Sequence, residues 1–257
     1  MRTRICIMAA AMTIAAAGLA SAAGKSAEPQ LSMFNTQARV EIGVDGKILA
    51  VQPDPALPPV IGQAIQSAVL GWRFAAPSRA GQPVGGVTFV QIAGCAVPVG
   101  DGLRMAFDYR SNGPGRSGQE APRYPMDLAR RGVSAALQLT YRVQADGTAV
   151  VEQVAVEKGD ARVQKGFRRA IEEWIGSNRF QPELLDGQPV ATRVSFPVEF
   201  MMSTKPFQSQ AAVLREMKAQ QQAWAADSTS CKTALGNAAK LDRTVVLDSP
   251  FKLLPAG

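Results

Sequence analysis

The chain has no histidine among its 257 residues. Without an imidazole neither a Ser-His-Asp nor a Cys-His relay can be assembled, and the common histidine-based metal sites fall with them. Phosphate-binding signatures are lacking too. Gly85-Gly86 is too short for a phosphate loop and is not followed by Gly-Lys-Ser/Thr. The sequence GRSGQ around Ser117 misplaces the second glycine of a nucleophile elbow and reads as linker. Glu172 and Glu173, adjacent on a helix, point apart instead of converging as an acid/base pair. Nor is there a dense basic run: Arg130-Arg131 and Arg168-Arg169 are the tightest clusters, whereas nucleic-acid binders gather Lys and Arg on one face. The formal charge of +7 therefore points to a solvated surface, with weak attraction to an anionic envelope polymer as its only charge-driven role. These absences describe a non-enzymatic protein with no metal, no cofactor and no nucleic-acid partner.

What is present begins with a destination. Arg2 and Arg4 precede an Ala-rich apolar stretch over residues 5–19, and Ala20-Ser21-Ala22 has the small-x-small spacing of a cleavage site. Residues 1–22 thus read as a secretory signal peptide, with a mature periplasmic protein beginning near Ala23. An uncleaved inner-membrane anchor is the competing reading, since the low-polarity run approaches bilayer-spanning length. Cleavage removes two arginines, leaving 26 basic against 21 acidic residues and a formal charge of +5. It also removes Cys6, leaving Cys95 and Cys231 as an even pair in an oxidising compartment, where a structural disulfide is expected. Closing so long a loop is worth about 4–5 kcal/mol in the chain-entropy account.

Compared with itself, the chain shows an ordered repeat. Residues 39–51 read RVEIGVDGKILAV and residues 139–156 read LTYRVQADGTAVVEQVAV, each an alternating apolar run, an Asp-Gly turn and a second run. Asp45-Gly46 and Asp146-Gly147 are hairpin signals, because the turn needs positive φ and glycine supplies it cheaply. Helical spacing follows in both: Ile61, Ile65, Ala68, Val69 and Trp72, then Val163, Phe167, Ala170, Ile171 and Trp174. Each helix closes on a similar tail, Trp72-Arg73-Phe74 and Asn178-Arg179-Phe180, followed by Pro77 or Pro182. The tetrapeptide Gly-Gln-Pro-Val recurs at residues 81–84 and 187–190, and a last strand closes each copy. The fold expected is α+β, with two ββαβ units, each an antiparallel sheet with helices packed on one face. The units are placed at residues 37–92 and 121–202, joined by a linker over residues 93–120. Residues 203–257 form a helical C-terminal appendage, with an exposed helix over 206–226, a short strand near residues 243–247, and a tie to the first unit through Cys231.

The second unit adds Pro122-Arg123-Tyr124-Pro125, Ala129 and Gly132 ahead of its hairpin. After its helix come Arg179-Phe180-x-Pro182, Asp186-Gly187-x-Pro189-Val190 and Phe196-Pro197-Val198-x-Phe200. This combination resembles the TonB C-terminal domain family, and the first unit resembles a degenerate copy without the Tyr-Pro lead-in. The resemblance implies an energy-transducer type of protein serving transmembrane transport. Its domain captures an extended peptide of an outer-membrane receptor by adding it as a strand to a sheet edge, a mode in which main-chain hydrogen bonds supply affinity. Carried over by position, the pairing strand is residues 193–200, with Arg193, Val194, Ser195, Phe196, Val198 and Phe200 as contacts, and Tyr124 and Pro125 belong to the receptor-contacting lead-in. Full transducers of the family carry an anchor with a motor-coupling histidine and a long Pro-rich span. This chain has neither a histidine nor a long Pro-rich span, and Ala121 stands where the family has Gln.

The residues leave several readings open. Trp72, Phe167, Trp174, Phe180 and Phe196 fall on core-facing phases. Tyr124 either staples the lead-in to the sheet or touches a partner. The strand at residues 193–200 has no sequential successor within its unit to cover its edge, and Pro197 is expected to face outward while Phe196 and Val198 turn to the core. Three function classes remain: a peptide-binding adaptor; an envelope scaffold that uses the doubled unit for homodimerisation or cell-wall contact; and an unrecognised hydrolase.

Overall fold

The computed structural model describes residues 31–99, 102–116, 121–159, 162, 164–202, 231–241 and 244–255. The expected signal peptide and the expected helix over residues 206–226 lie outside these residues. Among the described residues no helix is long and apolar enough to cross a membrane. The fold is α+β, with mainly antiparallel sheets and few helices.

Alternating apolar residues build the first hairpin, β1 (Ser32–Ile42) and β2 (Ile48–Pro53). Helix α1 (Pro59–Leu70) follows and buries Ile65 and Val69, one turn apart, against Val40, Ile42, Val51, Val90 and Ile92. A tight hairpin of β3 (Ser78–Arg79) and β4 (Gln82–Pro83) leads to the long β5 (Gly86–Val99), which pairs with β1 throughout residues 86–96. The other side of β5 is taken by β6 (Gly102–Gly113). The first sheet therefore consumes most of residues 93–120, where the sequence predicts a linker. The linker reading rested on the Gly, Ser and Pro content of residues 111–120, yet Leu103, Met105, Phe107 and Tyr109 alternate as a strand should, and Gly115–Arg116 forms a further short strand, β7.

The second sheet is simpler. After the short helix α2 (Met126–Arg130), β8 (Ala135–Val143) and β9 (Ala149–Lys158) form a hairpin. Helix α3 (Gln164–Ser177) then lays Phe167, Ile171 and Ile175 on it, while Arg168–Glu172 and Arg169–Glu173 ion pairs line the solvent side at 2.7 and 3.0 Å. Burying each such apolar side chain contributes about 1.5–3 kcal/mol. The short β10 (Phe180–Gln181) pairs with β7. Strand β13 (Thr192–Phe200) pairs with β8 along its full length.

Two features differ from a pair of independent units with helices on one face. The hairpin of β11 (Glu183–Leu185) and β12 (Gln188–Val190) leaves the second half and joins the first sheet, where Leu184 and Leu185 pair with Val87 and Gly86. A side chain on Gly86 would sit about 2.2 Å from the Leu184 carbonyl oxygen, so only glycine admits this junction. The second difference is helix α4 (Cys231–Leu241), which packs Leu235 and Cys231 beside Ala93 and Cys95. By strand alternation that face is opposite the one bearing Val90 and Ile92 under α1, so the first sheet carries helices on both faces. The expected Cys95–Cys231 disulfide is present, with Cα atoms 5.5 Å apart. The chain then extends through β14 (Val245–Val246), and Phe251 is buried in the first core at 1% exposure.

Candidate functional site

The lead-in and β13 come together at one end of the second sheet. The Tyr124 ring packs edge-on against Phe167 and Phe200 at 5.9 and 5.4 Å, and its hydroxyl donates to the Val133 carbonyl. Of its two sequence readings, the staple matches these contacts: ring and hydroxyl are both committed inside the domain. Pro125 is half-buried and immediately precedes α2.

Strand β13 has two faces and one outer edge. Val194, Phe196, Val198 and Phe200 pack on the core under α3, as the alternation predicted. The opposite face is polar. Gln138 Nε2 and Thr140 Oγ1 donate to Ser195 Oγ at 2.8 and 3.2 Å, and Arg142 pairs with Glu152 at 2.7 Å. The outer edge can be assigned from its hydrogen bonds. The Arg193 carbonyl accepts from Leu247 N–H at 3.0 Å, and the Arg193 N–H donates to Asp248 Oδ1 at 2.6 Å. Because backbone groups alternate sides along a strand, Ser195, Pro197 and Glu199 also turn theirs outward, whereas Val194, Phe196, Val198 and Phe200 turn theirs to β8.

That edge is not bare over its whole length. Val194 and Ser195 pair with Val246 and Val245 of β14, so the expectation that nothing covers β13 fails over its first half. The reason is non-local: the covering strand belongs to the tail, some fifty residues on. Beyond Ser195 no described strand pairs with this side of β13. There Pro197 offers only its carbonyl, having no N–H, and Glu199 offers both groups. Asp248 completes the site. Its Oδ2 accepts from Arg193 Nε at 2.8 Å and lies 3.7 Å from Arg142 Nη1. The carboxylate beside Arg193 raises that guanidinium above its ordinary range. Sequence reasoning missed Arg142, Asp248 and Glu199, and only the short apolar run at the end of the chain hinted at β14. Among the described residues no cluster of His, Cys, Asp and Glu could hold a metal ion.

With this geometry in view, the comparisons are specific. Residues 120–202 match the family described as Gram-negative bacterial TonB protein C-terminal. This segment is a TonB C-terminal domain. Over 86 residues the chain is 30% identical to Protein TonB of Vibrio cholerae serotype O1, an alignment covering 34% of this chain and 34% of that protein. The chain thus matches about a third of the length of this curated relative. Within the TonB C-terminal domain, the matched segment includes the lead-in, both strands of the hairpin, α3 and all of β13.

A second buried cluster lies where the TonB C-terminal domain meets the first sheet. Glu183, fully buried, accepts from Thr88 Oγ1 at 2.5 Å, Thr192 Oγ1 at 2.8 Å and Ser249 Oγ at 2.8 Å. Asn112 Nδ2 donates to Ser249 Oγ at 2.9 Å and to the Phe251 carbonyl at 3.2 Å. Burial pushes the Glu183 carboxyl above the ordinary range, and the hydroxyl donors hold it back in part. Burial lifts the neighbouring Tyr109 phenol to about 12, with the Glu183 charge adding to the shift. The donors are hydroxyl and amide groups, so the cluster has the chemistry of a structural junction.

Proposed function

We propose that the TonB C-terminal domain binds an extended peptide of an outer-membrane receptor by strand addition at the outer edge of β13, within the periplasm and after removal of residues 1–22. The family match supports a role of the energy-transducer type, with this edge as its receptor-facing end. The observation that carries the reading is β14: the edge accepts an added antiparallel strand, here the chain's own, through Val194 and Ser195. Outward backbone groups at Pro197 and Glu199 extend the same line.

We further infer that the first half is a diverged copy of the domain. The two Asp-Gly turns support this in detail. Gly46 and Gly147 have φ of 75° and 80°, and each carbonyl accepts from the N–H of the phenylalanine that follows the helix by three or four residues, Phe74 or Phe180, at 3.0 Å. The aspartates accept N–H groups two residues on, Lys47 to Asp45 at 3.0 Å and Thr148 to Asp146 at 2.9 Å. In this copy the strand that corresponds to β13 is β5, and β6 occupies its outer edge. The first half therefore serves as scaffold and the second as binder.

The test is binding of synthetic peptides from the N-terminal segments of outer-membrane receptors to the mature chain and to Glu199→Pro. Removing an outward N–H while leaving the β8 ladder intact should weaken binding about tenfold or more, with an unchanged circular dichroism spectrum. Val198→Pro is the wrong probe, since its N–H faces β8. Wild-type affinity in folded Glu199→Pro would place the site elsewhere.

A further inference from the structure

The outer edge of β13 is the binding surface of the preceding reading, and its first half is already filled. We propose that residues 244–248 act as a built-in competitor for this edge, and that the partner strand able to displace them carries a carboxylate to replace that of Asp248. This rests on the strand-addition reading, but its test does not need a receptor.

The argument begins with what remains open. Of the outward backbone groups from Arg193 to Glu199, those of Arg193 and Ser195 face the tail. Pro197 has no N–H to give, so a partner that leaves the tail in place finds only one full residue, Glu199, and a lone carbonyl. A ladder of useful length requires β14 to lift.

The hold of β14 suits such an exchange. It is two residues long, its own Val245 is 50% exposed, and Leu247 just after it is 45% exposed. Either side of it the chain is fixed. Upstream, α4 is bonded to β5 by the Cys95–Cys231 disulfide, and Arg110 Nη2 donates to the Leu235 carbonyl at 2.8 Å. Downstream, Phe251 is buried in the first core, Ala75 N–H donates to the Lys252 carbonyl, and Leu254 N–H donates to the Arg73 carbonyl, both at 2.8 Å. Residues 244–248 can therefore leave β13 while both ends stay docked, and they return at high effective concentration once a partner departs.

The side chain of Asp248 defines what the partner must bring. Its carboxylate takes the place of a strand carbonyl toward the Arg193 N–H and also meets the Arg193 and Arg142 guanidiniums. A displacing strand without an acid there leaves the Arg193 guanidinium and its outward N–H without their carboxylate, and leaves Arg142 with Glu152 alone. The fitting partner is an extended apolar peptide ending its paired stretch in Asp or Glu.

The probe is a synthetic peptide with the sequence of residues 244–249, TVVLDS, and its Asp-to-Asn analogue. Both are titrated by fluorescence anisotropy into the full mature chain and into the double variant Val245→Pro/Asp248→Asn. The acidic peptide should bind the variant at least about tenfold more tightly than the unaltered chain, since the binding-competent fraction rises as the tail lifts. The Asn analogue should lose most of that gain, as should the acidic peptide against a variant that also carries Arg193→Gln. Equal affinity for both proteins, no binding to the double variant, or an Asn analogue that binds as well as the acid overturns the proposal. Should the variant fail to fold, amide exchange in the unaltered chain decides: the Leu247 N–H must lose protection as TVVLDS saturates, and retained protection overturns it. If TVVLDS behaves as expected while no receptor peptide binds either protein, the receptor reading fails and the tail contact stands. If receptor peptides bind both proteins equally, the reverse holds.

Discussion

At the scale of single residues, the turn glycines separate two effects that are usually confounded. Gly147 and Gly187 both sit at positive φ, 80° and 71°, where an L side chain is strained by about 1 kcal/mol. Around Gly187 an added Cβ meets nothing within 4 Å, whereas at Gly147 it lands 2.5 Å from the Phe180 carbonyl oxygen. That oxygen belongs to backbone and cannot swing aside. Gly187→Ala should therefore cost about 1 kcal/mol and Gly147→Ala clearly more, about 2–4 kcal/mol, read from urea unfolding midpoints at constant m. Gly46→Ala, with its Cβ 2.0 Å from the Phe74 oxygen, should behave like Gly147→Ala. Equal costs at Gly147 and Gly187 would show that the turn relaxes and that the clash does not constrain it. The residue scale is also where sequence reading worked best, because the need for glycine after aspartate in a tight turn is local chemistry.

Elements made by local pattern were legible, and those made by distant partners were not. The hairpins, α1, α3 and β13 follow from alternation and helical spacing, and β14 falls inside the short apolar run expected near residues 243–247. Strand β6 carries an equally clear alternation from Leu103 to Tyr109, but the glycines and serines that follow it are the composition of a linker and mask that signal. The β11–β12 hairpin could not be assigned to the first sheet from sequence, since its pairing with Gly86 and Val87 depends on three-dimensional proximity alone. Cysteine parity did foresee the tie between α4 and β5. Chain entropy over a separation of 136 residues sets an upper value of about 5 kcal/mol for that bond. Cys95→Ser/Cys231→Ser should lower the unfolding free energy by about 2–5 kcal/mol and expose the amides of α4 to exchange before those of β8. Simultaneous exchange of α4 and β8 in the double variant would mean that α4 is held mainly by packing of Leu235 and by Arg110.

For the whole molecule, Glu183 is the point where the first sheet, the TonB C-terminal domain and the tail are joined. Its carboxyl is reached by Thr88 from β5, Thr192 from β13 and Ser249 from the tail, so its loss should loosen three parts at once. Removing it leaves three buried hydroxyls without their acceptor, each costing on the order of 1 kcal/mol, and Glu183→Ala should lower stability by about 3 kcal/mol or more. The pH dependence carries more information than the size. Burial raises the folded-state pKa of Glu183 above its unfolded value of about 4.3. The folded chain therefore holds that proton more tightly than the unfolded chain. The stability so gained is complete below the unfolded pKa and is lost as pH rises through the raised folded value. Glu183→Gln cannot titrate, and every other group is common to both proteins. The stability of wild type relative to Glu183→Gln should thus be greatest near pH 4 and decline toward neutrality, read as a difference of urea midpoints at each pH. A difference that rises with pH would mean that the three hydroxyl donors outweigh desolvation and that Glu183 is held as a carboxylate below its unfolded pKa. The sign of the slope therefore reports which wins at the junction, desolvation of the carboxylate or the hydroxyls of Thr88, Thr192 and Ser249 that donate to it.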